Sequence, residues 1–494
     1  MLKKIICLFC ITCLCFVMLV GCKSNDKEVA KDNSTTPTAT PTDVPTSDAT
    51  STPVPEPTAT KSQGELLAEQ YTGFVETPMD LGGRTIRFVT TMAKRYIYSE
   101  NKDETPNETL DIIKALETIE QDYNCTIVVE QLKGRDMVEA LLTAKAAGDT
   151  YGDILEFGVS DTYLEEIYAG NLVMPLEDEA IADIIGLDTN PWLAASDFGK
   201  MFGHHYGVHF KTNNSGDLLK GVVLFNKDLV EKYNLGDIYA LLDNKEWTFD
   251  KLNELSASIA SQSDGSVYPL LYNQEGIFLP MLIYANGGTA AEYTENGYKF
   301  TALSDNTLEA LNFAVDMKTK GYIHPSSEDR KQAETIFANG EAVFFATNYA
   351  SLKKYTQGTI PMEASVGLLP APLGPNGSDY NAVSYTEAMF HVLQNVEKPE
   401  EVAAVLVAIA NRTGKRDMIE TELMNTLQDE ESAEVLQMMY DNMVCDFSRS
   451  ISTSRGQMSA ANKAIMNLEK TPKAAMEEIE VTVQTIFDEL TLAE

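Results

Sequence analysis

Three of the chain's five histidines, His204, His205 and His209, fall within six residues of one another. Imidazoles four residues apart on a helix, as His205 and His209 would be, can hold one divalent cation through neutral ring nitrogens. Gly203 and Gly207 interrupt such a helix, so the cluster reads as packing or solvent-exposed residues, with no metal and no cofactor expected. A binding protein serving a metal importer is the alternative that this cluster would support. The sequence has no G-x-S-x-G, no H-E-x-x-H, no phosphate-binding glycine loop and no cysteine nucleophile beside a suitable histidine, so no enzyme is expected. A glycosidase's paired carboxylates need no fixed spacing. A cell-surface enzyme acting on glycans therefore stands as the other alternative.

The cysteines carry a different chemistry. Lys3 and Lys4 precede an apolar run from Ile5 to Val20 that contains Cys7, Cys10, Cys13 and Cys15. A basic start, a short apolar core and small residues at its end make a secretion signal, and the run is short of the roughly 20 residues that span a bilayer comfortably. Leu19-Val20-Gly21-Cys22 resembles the lipobox of bacterial lipoproteins. That resemblance implies that Cys22 becomes the first residue of the mature protein and carries lipid, palmitate included, through several acyl chains, because one gives only marginal membrane binding. Cys125 and Cys445 remain, and spacing does not say whether they pair. Two free buried thiols are expected, since Cys125 opens an apolar strand-like run.

Residues 1–21 are thus read as a signal peptide and 22–63 as the lipidated cysteine and a tether. Lys23 to Ser62 has no aromatic residue and repeats Thr-Pro, as in Thr36-Pro37 and Thr40-Pro41, which predicts a disordered Thr/Pro/Ser-rich segment. Such a segment spans on the order of 35 Å as a coil and at most about 120 Å as polyproline II. With 74 acidic against 38 basic residues the formal charge is −36. Nucleic acid and anionic surfaces are excluded as partners, because binding them requires a basic patch. A neutral or cationic ligand is allowed.

The elements that must position a site follow from periodicity. Ile86–Thr90, Thr126–Glu130 and Ile154–Phe157 read as strands, alternating with helices that Asn107 opens, over Met137–Ala147 and over Asp161–Ala169. This βαβαβα order predicts a parallel sheet covered by helices. Further on, Val222–Asn226 and Ala342–Ala346 read as strands, and Asp250–Ala260, Leu308–Thr319 and Ala333–Phe337 as helices. Beyond about Lys398 the pattern is almost entirely helical.

Five local patterns resemble the bacterial extracellular solute-binding family that includes the maltose-binding protein. They are Asp153-Ile154-Leu155 with Gly170-Asn171-Leu172 and Pro175-Leu176, then Phe225-Asn226-Lys227-Asp228-Leu229, then Trp247 to Leu252, then Ile336 to Val343, and last Leu368 to Gly377. They occur in the family's order. The resemblance implies an α/β, two-lobed periplasmic-binding-protein-like fold with discontinuous lobes, hinge strands and a helical C-terminal region. It places 84–210 and about 378–440 in one lobe, and about 211–377 and 441–494 in the other. It implies an extracytoplasmic monomer that captures a small ligand, a mono- or oligosaccharide, by hinge closure and delivers it to the permease subunits of an ABC importer.

The resemblance also points to ligand-binding residues. Phe157 and Asp161 match an aromatic and an acid after the third strand, Glu275 the acid that opens the helix after the middle strand, and Tyr349 and Tyr385 two aromatic positions facing the cleft. Rings and carboxylates at such places suit sugars, whose apolar faces stack while their hydroxyls donate hydrogen bonds. The other readings are a core Phe157, a helix-capping Asp161, a solvated Glu275 and two core tyrosines. Trp247 is read as packing, and Trp192 lies where the resemblance ends.

Overall fold

The computed structural model describes residues 76–492, other than 77, 159–162, 191–192, 211–218, 328, 385–387, 414–424, 447, 449–450 and 491. In chain order the strands are β1 (Arg84–Thr90), β2 (Cys125–Gln131), β3 (Ile154–Gly158), β4 (Leu193–Ala195), β5 (Lys200–Met201), β6 (His204–His205), β7 (Val208–Phe210), β8 (Val222–Asn226), β9 (Tyr268–Tyr272), β10 (Ala291–Thr294), β11 (Gly297–Phe300), β12 (Ala342–Thr347), β13 (Val366–Leu369), β14 (Ala382–Ser384), β15 (Ala388–Val392) and β16 (Met443–Cys445).

The first lobe is built on a sheet of order β2-β1-β3-β15-β7-β4. β1, β2 and β3 are parallel, as their alternation with helices requires. The sheet as a whole is mixed, which corrects the parallel expectation: β15 runs antiparallel between β3 and β7. Burial follows position. Ile154 to Phe157 of central β3 are all buried, whereas edge strand β2 leaves Val128 exposed. The helices Asn107–Tyr123 and Pro399–Thr413 pack together in this lobe.

The second lobe is built on a sheet of order β13-β8-β12-β9. β12 is buried along its whole length, with β9 parallel on one side and β8 antiparallel on the other. Trp247 is fully buried, as its packing role predicts, and its indole N–H donates to the Pro370 carbonyl at 3.1 Å. Thr248 then caps the helix Phe249–Gln262 by accepting from the Lys251 amide. The Leu368–Gly377 segment is therefore fixed to this lobe: Leu373 N–H donates to the Trp247 carbonyl and Gly374 N–H to that of Ala285. The terminal helices Ser452–Met466 and Pro472–Asp488 pack on each other, on the helices Glu275–Ala285 and Asp305–Thr319 and on β11. The helix Glu430–Asp441 packs on β13. Cys125 and Cys445 do not pair with each other, and Cys125 is buried while Cys445 is half-buried, so only one of the two thiols is enclosed.

Candidate ligand-binding site

In the first lobe the chain leaves β1 for β2 on one side and reaches β3 on the other. The carboxyl ends of β1 and β3 thus flank a topological switch point, where open α/β sheets bind ligands. Glu156 is fully buried there. One of its oxygens accepts from the Thr90 hydroxyl at 2.5 Å, the other from the Tyr96 phenol at 2.8 Å, and the Arg95 guanidinium lies 4.0 Å away. Burial, then the Glu156 charge, pushes the Tyr96 phenol well above its ordinary range, so it stays a donor. The carboxylate thereby pins the short turn Ala93–Arg95 over the strand ends. Just beyond it Ile97 and Tyr98 are 43% and 40% exposed, and the Lys102 ammonium sits 4.5 Å from the Tyr98 ring centroid. Thr91 is buried and its hydroxyl has no hydrogen-bond partner among the described residues.

In the second lobe the corresponding ends belong to the parallel pair β9 and β12. Asn273 N–H continues the pairing by donating to the Ala346 carbonyl at 2.9 Å, and its side-chain amide donates to the Thr347 hydroxyl at 3.2 Å. Asn273 Oδ1 is buried and unpartnered among the described residues. Gln274 follows at φ 66°, ψ 136°, a backbone conformation that costs a non-glycine residue on the order of 1–3 kcal/mol. It turns the chain into the helix Glu275–Ala285, whose residues from Ile277 onward are all buried.

The two lobes meet along a seam. Lys220 N–H donates to the Val383 carbonyl at 2.9 Å, and β14 pairs in parallel with β16. At the β5–β6 turn, Gly203 N–H donates to the Tyr293 hydroxyl at 2.5 Å, and the Tyr298 hydroxyl donates to the Lys200 carbonyl at 2.8 Å.

Residues 114–411 match the family model described as bacterial extracellular solute-binding protein. The chain belongs to that family. No curated protein matches its sequence. Among solved structures it is similar to the sugar-binding protein MalE of Xanthomonas citri, at 15% identity and a TM-score of 0.59 over 81% of this chain and 97% of that one. It is also similar to the cyclic alpha-maltosyl-1,6-maltose binding protein of Arthrobacter globiformis, at 12% identity and a TM-score of 0.59 over 82% and 100% of the two chains. A cyclo/maltodextrin-binding protein complexed with maltotetraose aligns at 13% identity with a TM-score of 0.58, over 83% of this chain and 100% of that one. At these identities the likeness establishes the two-lobed fold.

On this solute-binding protein the residues expected from sequence divide. Phe157 is 1% exposed and lies within the first lobe's core, face to face with the ring of His391. Tyr349 begins the helix Tyr349–Thr356 and is fully buried. Glu275 stands half-buried in the first turn of its helix, one residue beyond Gln274. Asp161, Tyr385, Trp192 and Cys22 lie outside the described residues. His204 and His205 each face Glu177, at 3.5 and 3.1 Å, and among the described residues no group of three or more His, Cys, Asp or Glu could hold a metal ion. Sequence reasoning missed Glu156, although it is the one charged residue in the run Ile154–Phe157. It also missed Asn273, marked by its buried unpartnered Oδ1, and Gln274, marked by a positive φ, neither of which composition reveals.

Proposed function

We propose that this protein captures a carbohydrate between its two lobes, closes on it about the hinge strands, and delivers it to the permease subunits of an ABC importer. The observation that carries the reading is the same on both sheets. At the carboxyl ends of their parallel strands, Thr91 Oγ1 and Asn273 Oδ1 are buried polar atoms with no partner among the described residues. Buried polar atoms are normally paired, so these are places where a hydroxyl-rich ligand's donors and acceptors would arrive. Tyr98, Gln274 and Glu275 add an exposed ring and an exposed and a half-exposed polar side chain at the same ends. The similar structures from X. citri and A. globiformis are named as sugar- and maltosyl-maltose-binding proteins, which supports a sugar.

The family assignment supports an extracytoplasmic place, and the Leu19–Cys22 motif supports lipid attachment at Cys22 with residues 22–63 as tether. We assign 84–210 and about 378–413 to the first lobe, and about 219–377 and 430–490 to the second. The helix Glu430–Asp441 goes with the second lobe because Asp429, its cap, accepts from Lys227 at 2.7 Å and from the Tyr239 hydroxyl at 3.0 Å. A monomer acting without cofactor or catalysis fits this role.

Calorimetric titration with maltose, maltotetraose, glucose, an amino-acid mixture and zinc tests the reading. Saturable heat with a saccharide that is recovered unchanged is the expected result. Binding to zinc or to amino acids alone, or cleavage of the glycan, would overturn it.

A further inference from the structure

We propose that Glu165 and Ser452 form a latch that holds the two lobes against each other. Glu165 is the second residue of the helix Leu164–Ala169, in the first lobe just beyond the end of β3, and is 7% exposed. Its Oε1 accepts from the Ser452 amide at 3.1 Å and also from the Ser452 hydroxyl. Ser452 opens the helix Ser452–Met466, which belongs to the second lobe.

The contact answers a local need. The residue at that helix's N-cap position is Ile451, which offers no side-chain acceptor. The first amides of a helix have no partner inside it, and the positive end of its dipole favours an anion. A capping Ser, Asp or Asn would normally supply that acceptor from the same chain segment. Here the acceptor comes from the other lobe, so the helix is capped only while the lobes are together. Two further contacts share the seam, Gly203 with Tyr293 and Lys200 with Tyr298. If the lobes move as bodies, these three contacts form and break together, and the arrangement that joins the lobes along this seam is stabilised from within before any ligand adds to it.

The proposal rests on the reading of the chain as two lobes that move as bodies, and not on the ligand's being a sugar. Its test therefore uses the full-length protein without ligand. Amide hydrogen exchange is followed in peptides spanning Ser452 and Gly203, for the wild type, Glu165→Ala, Glu165→Gln and Tyr293→Phe. Glu165→Ala should speed exchange at both amides by about tenfold or more. Glu165→Gln, whose amide oxygen still accepts from Ser452, should leave Gly203 within about twofold of the wild type. Tyr293→Phe, on the opposite contact, should speed exchange at Ser452. Exchange in Glu165→Ala that rises at Ser452 but not at Gly203 would reduce the pair to a local cap and overturn the latch. If Glu165→Ala does not fold, Tyr293→Phe decides the matter, and an unchanged Ser452 amide in that variant is fatal to the proposal.

Discussion

The ring of Phe157 lies flat on the imidazole of His391, with centroids 4.7 Å apart and planes within 8° of parallel. His391 is fully buried, its Nδ1 3.3 Å from the Leu155 carbonyl and its Nε2 2.9 Å from the Tyr168 hydroxyl. Those neighbours assign Nδ1 as the protonated nitrogen and Nε2 as an acceptor. Burial, the dominant cause, pushes the His391 pKa down to about 3.

That shift sets a pH dependence. An unfolded histidine titrates near 6.5, so the folded state binds fewer protons than the unfolded state between there and about 3. The contribution of His391 is complete above pH 6.5 and is lost progressively as pH falls, by an amount on the order of 3–5 kcal/mol over the whole range. Urea midpoints at pH 7, 5.5 and 4 should fall for the wild type. The fall should be shallower for His391→Phe, which starts lower because Tyr168 and Leu155 lose their partner. Parallel slopes for the two proteins would show that His391 is not the titrating group.

Two glycines should respond in opposite directions. A methyl group on Gly374 would stand 2.2 Å from Asn286 Oδ1, and Asn286 is fully buried, held by the Asn306 carbonyl at 2.7 Å and by Glu309 at 3.0 Å. Gly374→Ala should cost about 2–3 kcal/mol or more in urea unfolding, as overpacked sites do. Gly456 lies exposed in the helix Ser452–Met466 with nothing within 4 Å of its virtual Cβ. Gly456→Ala should be stabilising, by about 0.5–1 kcal/mol.

The tyrosines separate site from core. Tyr349→Ala should lower the unliganded melting temperature sharply, since removing a buried aromatic costs about 3–5 kcal/mol. Tyr98→Ala should leave that temperature within a degree or two. It should weaken saccharide binding by about 30-fold, the equivalent of about 2 kcal/mol for one ring face removed from water. Calorimetry and a thermal scan on each variant check both halves. A Tyr98→Ala protein with full affinity would remove this ring from the site.

Strand and helix positions were legible wherever one period dominates. Val222–Asn226 and the helix start at Lys227 agree with the sequence reading residue for residue, because a fully apolar strand runs directly into an Asn cap. The two- and three-residue strands β4 to β7 carry too few positions for any period to register. β15 was hidden because its partners lie far away in sequence. Motif matching led to aromatic positions in or just after strands, and ring type alone does not say whether a side chain turns outward or inward. Phe157 and Tyr349 turn inward. The polar residues that do lie at the strand ends, Thr91, Asn273 and Gln274, are of types common in any loop, so only their placement distinguishes them.

The position of β15 in the first lobe has a consequence for synthesis. Its residues fill the gap between β3 and β7, with Ala388 opposite Gly158, roughly 230 residues downstream. A ribosome adding about 5–20 residues per second needs on the order of 10–50 s to make that stretch. Throughout that interval β3 has an open hydrogen-bonding edge on the side that β15 will fill. The first lobe's sheet therefore cannot be completed until residues 388–392 have been made, which leaves the nascent chain open to a holding chaperone.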